Sequence, residues 1–179
     1  MVPSIAMQTT FKSSVNFEHV EALKQLMRET VGKLNMDFFF YSREYQVGKV
    51  LNELRNPLCE TKACIAGYCT LLSLNPVHLR PTSGDVVVEQ ALDYLGVSRE
   101  VFGFGCEFAE WLFFQWPIDL DKRYRDALSR DNPAEAVEVA CEAIDRYIAE
   151  YQKAEQAAWL SPIAIDEDAV ERANLSTQP

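Results

Sequence analysis

Hydrophobic residues recur every three or four positions over most of the chain, with polar residues between them. This spacing places the hydrophobic side chains on one face of an α-helix, so each helix is expected to bury one stripe. The predicted helices cover about 17–34, 45–54, 62–74, 84–95, a segment from Ser98 to Trp116, 119–129 and 133–158. One further helical turn is predicted near 166–172.

Local capping signals mark several of these helix ends. Asn16 and Asn132 are predicted N-caps, because an Asn side chain can accept a hydrogen bond from the first turn. Pro133 suits the first helical position, and Gly96 is predicted to end the fourth helix. Thr61 is the predicted N-cap of the third helix.

The pattern predicts an all-α fold with a single compact domain of about seven helices. We place this domain at 16–160, between a flexible N-terminal arm, 1–15, and a polar C-terminal tail, 161–179. The four consecutive aromatic residues at 38–41 could form a short strand or a buried connection. No partner strand is evident, so both interpretations stay open.

The net charge of −10 is concentrated in the second half of the chain. Residues 1–80 carry 9 Lys and Arg against 7 Asp and Glu, whereas 81–179 carry 8 against 20. An acidic half disfavours direct binding to nucleic-acid phosphates. It is typical of a solvated acidic surface, of a contact surface for a basic protein, or of a nucleic-acid mimic.

Two features are candidates for contact with a protein partner. An acidic row on the last predicted helix is either a solvated face or a surface for a basic patch. Its members are Glu135, Glu138, Glu142 and Asp145. Trp111 and Trp116 lie in an aromatic-rich segment, where they either pack in the core or anchor an interface.

The cysteines are expected to be free thiols in a reducing, cytoplasmic environment. Their number is five, no signal peptide is evident, and no apolar run is long enough for a membrane helix. We expect neither membrane association nor a cofactor. The segment Cys59-Glu60-Thr61-Lys62-Ala63-Cys64-Ile65-Ala66-Gly67-Tyr68-Cys69 holds three of the cysteines.

This segment allows three interpretations. A metal site is disfavoured because Cys-x4-Cys-x4-Cys does not match the spacing of zinc ligands, so no metal is predicted. Cys64, in the first turn of a helix, could be a nucleophile with Cys59 as its resolving partner. The favoured interpretation is structural, with Thr61 as a cap, Cys64 filling a small space, and Ala66 and Gly67 allowing close helix packing.

The same segment resembles a motif, Cys-Gly-Thr-x-x-Cys-Ile-Ala-Gly-Trp-Ala, of small proteins from bacteria and their phages. Glu60, Tyr68 and Cys69 depart from that motif, and the other defined positions match. The resemblance extends over roughly 34–150, including Leu112-Phe113 and Trp116-Pro117. It implies a shared helical fold and no established activity. An origin in a phage or mobile element implies a modulator or inhibitor of a host system.

Three functions follow from these features. The leading hypothesis is a non-enzymatic protein that acts by binding another protein. The first alternative is a cysteine-dependent redox or nucleophilic enzyme that uses Cys64 with Cys59. The second alternative is a protein that holds a small molecule in an aromatic-lined pocket.

Overall fold

The first helix, α1 (Phe17–Glu29), begins at the predicted cap, where the Asn16 side chain accepts a hydrogen bond from the His19 N–H at 3.2 Å. The structure, a computed structural model, describes residues 11–36, 40–41, 47–56, 58–73, 84–98, 101, 111–113 and 115–160. The chain is mostly helical, which confirms the all-α prediction.

Five further helices and two short strands follow α1 in the described residues. The helices are α2 (Val47–Arg55), α3 (Ile65–Ser73), α4 (Gly84–Leu95), α5 (Ile118–Ser129) and α6 (Pro133–Leu160). The strands are β1 (Phe40–Tyr41) and β2 (Lys62–Ala63). Residues 111–113 are also helical, whereas most of the predicted helix from Ser98 to Trp116 and the predicted turn at 166–172 lie outside the described residues.

The helices enclose one hydrophobic core. Helix α3 packs against α4, and α5 packs against α6, while α1 contacts α3, α4 and α6. Helix α1 therefore joins the two helix pairs. Within the described ranges, no helix has both the length and the apolar character needed to cross a membrane.

Two helix boundaries differ from the sequence prediction. Helix α1 ends at Glu29 rather than at residue 34, because Gly32 at φ +85° turns the chain away from the helix. Helix α3 begins at Ile65, so Cys64, whose sulfur accepts a hydrogen bond from the Gly67 N–H, immediately precedes the helix in place of Thr61. Residues 62–63 form β2 instead of a first helical turn.

The strands form a small sheet that also includes part of the loop after α1. Strand β1 pairs antiparallel with β2, with Phe40 opposite Ala63. On the other side of β2, Leu34 forms a parallel bridge with Ala63. The Ala63 N–H donates to the Lys33 carbonyl and the Asn35 N–H donates to the Ala63 carbonyl, both at 3.0 Å. The aromatic segment thus does contribute a strand, and its partner is β2.

The part of the predicted arm that the structure describes, 11–15, lies against the helical domain. Ser13 Oγ and the Ser14 N–H donate to the Glu155 carboxylate of α6 at 2.7 and 2.8 Å. The Ser14 hydroxyl also donates to the Gly96 carbonyl at 2.8 Å. Val15 is buried in the core. Contacts with the domain therefore begin before residue 16.

Gly96 and Gly32 provide a matched pair for testing this packing. Both have positive φ, but a Cβ at Gly96 would lie 2.9 Å from the Asn16 nitrogen and still closer to the Ser14 carbonyl oxygen. A Cβ at Gly32 would meet nothing within 4 Å. Gly32→Ala should therefore cost about 1–2 kcal/mol of unfolding free energy for its backbone conformation.

Gly96→Ala should lower the unfolding free energy by about 1–3 kcal/mol more than Gly32→Ala does. The extra loss arises because the backbone of 14–16 must move away from the new methyl group. Urea unfolding of the two variants measures the difference. Equal losses in the two variants would contradict the described packing of 14–16 against the end of α4.

Candidate functional site

The predicted acidic row on α6 is engaged by basic side chains of the same chain. Glu138 accepts two hydrogen bonds from Arg28 of α1, at 2.8 and 2.9 Å. Asp145 accepts one from Lys24 of α1 at 2.8 Å. These ion pairs tie the middle of α6 to α1.

The remaining members of the row face α5 and the loop that follows it. Glu142 pairs with Arg123 of α5 at 2.7 Å and with Arg146 of α6 at 2.5 Å. Glu135 pairs with Arg130 at 3.0 Å. All four acids thus have intramolecular partners, and their role in binding another protein stays a prediction.

The arginines lower the pKa of two of these carboxyl groups. The hydrogen bond from Arg28 lowers the pKa of Glu138, and the hydrogen bond from Arg123, supported by Arg146, lowers that of Glu142. A carboxyl group with a lowered folded-state pKa stabilises the fold above its unfolded pKa. That stabilisation is lost as the pH falls through the folded value.

We therefore expect the unfolding free energy to fall as the pH decreases below about 4.5, the ordinary pKa of Glu. The fall should be smaller in the double variant Glu138→Gln, Glu142→Gln, which lacks both carboxyl groups. Urea unfolding at about pH 6 and about pH 3 measures it. Because both pairs are solvent-exposed, the difference should be at most about 1 kcal/mol per pair. Identical pH profiles would show that the pairs add no stability.

Cys64, the predicted nucleophile of the alternative function, is buried at the start of α3. Its side chain is 2% exposed, and its Sγ accepts the Gly67 N–H at 3.4 Å. Burial raises the pKa of Cys64 to about 11, although the N–H groups of Gly67 and Ala66 act in the opposite direction. Desolvation therefore outweighs the helix terminus, and the thiolate is disfavoured.

The other motif residues have structural positions. Thr61 is buried, and its hydroxyl donates to the Glu53 carboxylate of α2. Ala66 and Gly67 lie in the buried part of α3, Ile65 to Leu71, consistent with close packing. Cys59 is partly exposed, and its carbonyl accepts a hydrogen bond from the Lys33 ammonium group. Among the residues that the structure describes, no group of three His, Cys, Asp or Glu side chains could hold a metal ion.

Thiol reactivity tests this description of the cysteines. With a pKa of about 11, only about one Cys64 in a thousand would be thiolate at about pH 8. Native alkylation with iodoacetamide, read by mass spectrometry for each cysteine peptide, should modify Cys59 well before Cys64, Cys69 and Cys141. All should react in denaturant. Rapid native modification of Cys64 would instead favour the cysteine-enzyme alternative.

The two predicted tryptophans have different environments. Trp111 is partly buried and packs edge-on against Tyr147 of α6, with ring centroids 5.2 Å apart. Trp116 packs edge-on against Tyr124 of α5 at 5.1 Å, and its indole N–H donates to the Leu112 carbonyl at 2.7 Å. Trp116 also lines a concave surface.

That surface is a cleft of about 580 Å³ between 32–36 and α5. One group of lining side chains is hydrophobic or aromatic: Leu34, Met36, Phe113, Trp116, Tyr124 and Leu128. A second group is charged: Lys62, Asp121, Arg125 and Asp131. Asn132 and the start of α6, with Pro133 and Ala136, also line the cleft. The cleft thus combines an apolar lining with charges of both signs.

Sequence reasoning identified only Trp116 in this cleft. The remaining lining residues come from separate parts of the chain, and only the parallel bridge of Leu34 to Ala63 places the loop after α1 beside β2. Leu128 carries a weak local signal, since it follows the buried residues Tyr124 and Ala127 of α5 yet is 47% exposed.

No family model matches the chain, and neither curated proteins nor solved structures give a match.

Proposed function

We propose that this protein is non-enzymatic and acts in the cytoplasm by binding a protein partner in the cleft between 32–36 and α5. The observation that carries the proposal is the concave surface of mixed polar and apolar character beside Trp116. The centre of a protein interface typically combines aromatic anchors with a polar rim. The cleft has both, with Leu128 on one wall remaining 47% exposed.

The overall charge supports a basic partner. A chain of net charge −10 attracts a basic protein at long range, even where the local contact surface is close to neutral. In this proposal the acidic row on α6 assists encounter and holds the helices together, while the cleft provides the close contact. Inhibition of a host protein is the form of this activity that the sequence resemblance implies.

A small-molecule ligand is the second candidate. A volume of about 580 Å³ lies within the range of roughly 300–1,000 Å³ that is usual for ligand pockets. The cysteine-enzyme alternative has less support, because burial disfavours the Cys64 thiolate.

A matched pair of substitutions on α5 tests the cleft. Leu128→Gln removes an apolar side chain from the cleft, whereas Ile118→Gln removes one that is 87% exposed and does not line it. We expect Leu128→Gln to weaken partner binding at least about tenfold and Ile118→Gln to change it less than about twofold. Both variants should keep the wild-type circular dichroism spectrum.

Binding is measured by affinity capture from bacterial lysate with quantitative mass spectrometry, then by calorimetry with the purified partner. Equal capture by both variants would contradict the proposal. A small molecule that native mass spectrometry detects on the wild type, and that Leu128→Gln loses, would favour the second candidate instead.

A further inference from the structure

The chain just after α5 holds an acidic residue in an uncommon backbone conformation. Asp131 has φ 52°, and in the described part of the chain the other two residues with positive φ are glycines, Gly32 and Gly96. Asp tolerates this region better than most residues do, but glycine enters it without a steric penalty. The backbone alone would therefore favour glycine at position 131.

The Asp131 side chain is exposed, lines the cleft, and has no ion pair or hydrogen-bond partner among the residues that the structure describes. The other two charged side chains of the α5 wall differ, because Asp121 and Arg125 pair with each other at 2.9 Å. Asp131 is therefore the charge on this wall that is available to an occupant of the cleft.

Asp131 lies beside Leu128, the exposed apolar residue of the same wall. The Asp131 N–H donates to the Leu128 carbonyl at 3.0 Å, and the Asn132 N–H donates to the Ala127 carbonyl at 2.9 Å. These bonds fix the backbone at 131 against the last turn of α5. An apolar and an acidic side chain are thus held next to each other, and an occupant that matches both presents an apolar and a basic side chain together.

We infer that Asp131 determines the specificity of the cleft by binding a basic side chain of the partner, next to the apolar side chain that contacts Leu128. This inference rests on the proposed function and names the residue that selects the partner. The ammonium group of Lys or the guanidinium group of Arg donates a charge-assisted hydrogen bond to such a carboxylate. The net charge of −10 attracts the same kind of partner at long range.

The cation Lys62 limits where a basic side chain can lie. It is exposed, lines the cleft, and belongs to β2, which is bridged to the 32–36 wall through Ala63 and Leu34. Because like charges repel, a basic group is favoured beside α5 rather than beside β2. An acidic occupant would be bound through Lys62 instead, so the two occupants respond differently to the loss of each charge.

Asp131→Asn and Asp126→Asn form a matched pair. Each removes one exposed carboxylate at or just after the last turn of α5, Asn tolerates positive φ as Asp does, and Asp126 does not line the cleft. Random linear peptides displayed on phage are selected on the full-length wild type and on each variant. Lys and Arg should be enriched at least about threefold on the wild type and Asp126→Asn, and less than about 1.5-fold on Asp131→Asn.

Two further variants test the sign of the charge. Asp131→Lys should enrich Asp and Glu in place of Lys and Arg, whereas Lys62→Gln should keep the enrichment of basic residues. The inference is overturned if the wild type selects no basic residues, if Asp131→Asn keeps their enrichment, or if Asp126→Asn loses it equally. Enrichment of acidic residues that Lys62→Gln abolishes would also overturn it.

Asp131→Gly tests whether the fold itself needs this side chain. Its midpoint of urea unfolding should equal or exceed that of the wild type, because glycine fits the positive φ and no side-chain contact is lost. A lower midpoint would show that the fold uses Asp131 and would overturn its assignment to partner selection.

Capture from lysate separates this inference from the proposed function. Where no linear peptide is selected, wild type and variants are compared on the proteins that they capture. Capture that Leu128→Gln loses and Asp131→Asn retains would reject the role of Asp131 and leave the binding function standing. Capture that is independent of Leu128 would reject the binding function itself.

Discussion

The burial of helix α3 from Ile65 to Leu71 is the constraint on which the rest of the fold depends. Every residue from Cys64 to Leu71 is buried, so this helix needs neighbours on all its sides. Its hydroxyl groups also need partners inside the protein. Tyr68 shares a hydrogen bond with Thr30 at 2.8 Å, and Thr70 donates to the Ala66 carbonyl at 2.9 Å. The first bond fixes the end of α1 beside α3.

The ion pairs then orient the second pair of helices against this centre. Helix α1 contacts α3 through its apolar face and reaches α6 through Lys24 and Arg28. Lys24 is itself largely buried, and it bonds to Asp145 and Glu21. Single exposed ion pairs stabilise a fold only weakly, but several along one seam favour one alignment of two helices over a shifted one.

Local signals were sufficient to predict much of the helical framework. The fourth helix and the last two are found within two residues of the predicted bounds, because Gly96, Asn132 and Pro133 act on their own neighbouring backbone. In the structure the Glu135 N–H donates to the Asn132 side chain at 3.2 Å, as an N-cap requires.

Features that depend on distant contacts were not predictable in the same way. The sequence predicts residues 62–63 as helical. They form a strand because they pair with Phe40 and with Leu34, contacts that no local signal indicates. The acidic row was visible, but nothing local assigns Arg28 to Glu138, 110 residues away. The cleft brings together residues from separate parts of the chain, so the sequence indicated only Trp116.

The contacts of 11–16 have a consequence for the order in which the protein is made. Ser13 and Glu155 are 142 positions apart, and their hydrogen bond requires the end of α6 to have left the ribosome. Val15 and Asn16, which meet the core and the Leu95 carbonyl, belong to the same segment. The segment 11–16 is synthesised well before the end of α6 and reaches its final contacts only after it. Until α6 has folded, the Val15 side chain stays exposed to solvent, because the residues that bury it in the folded protein are not yet in place.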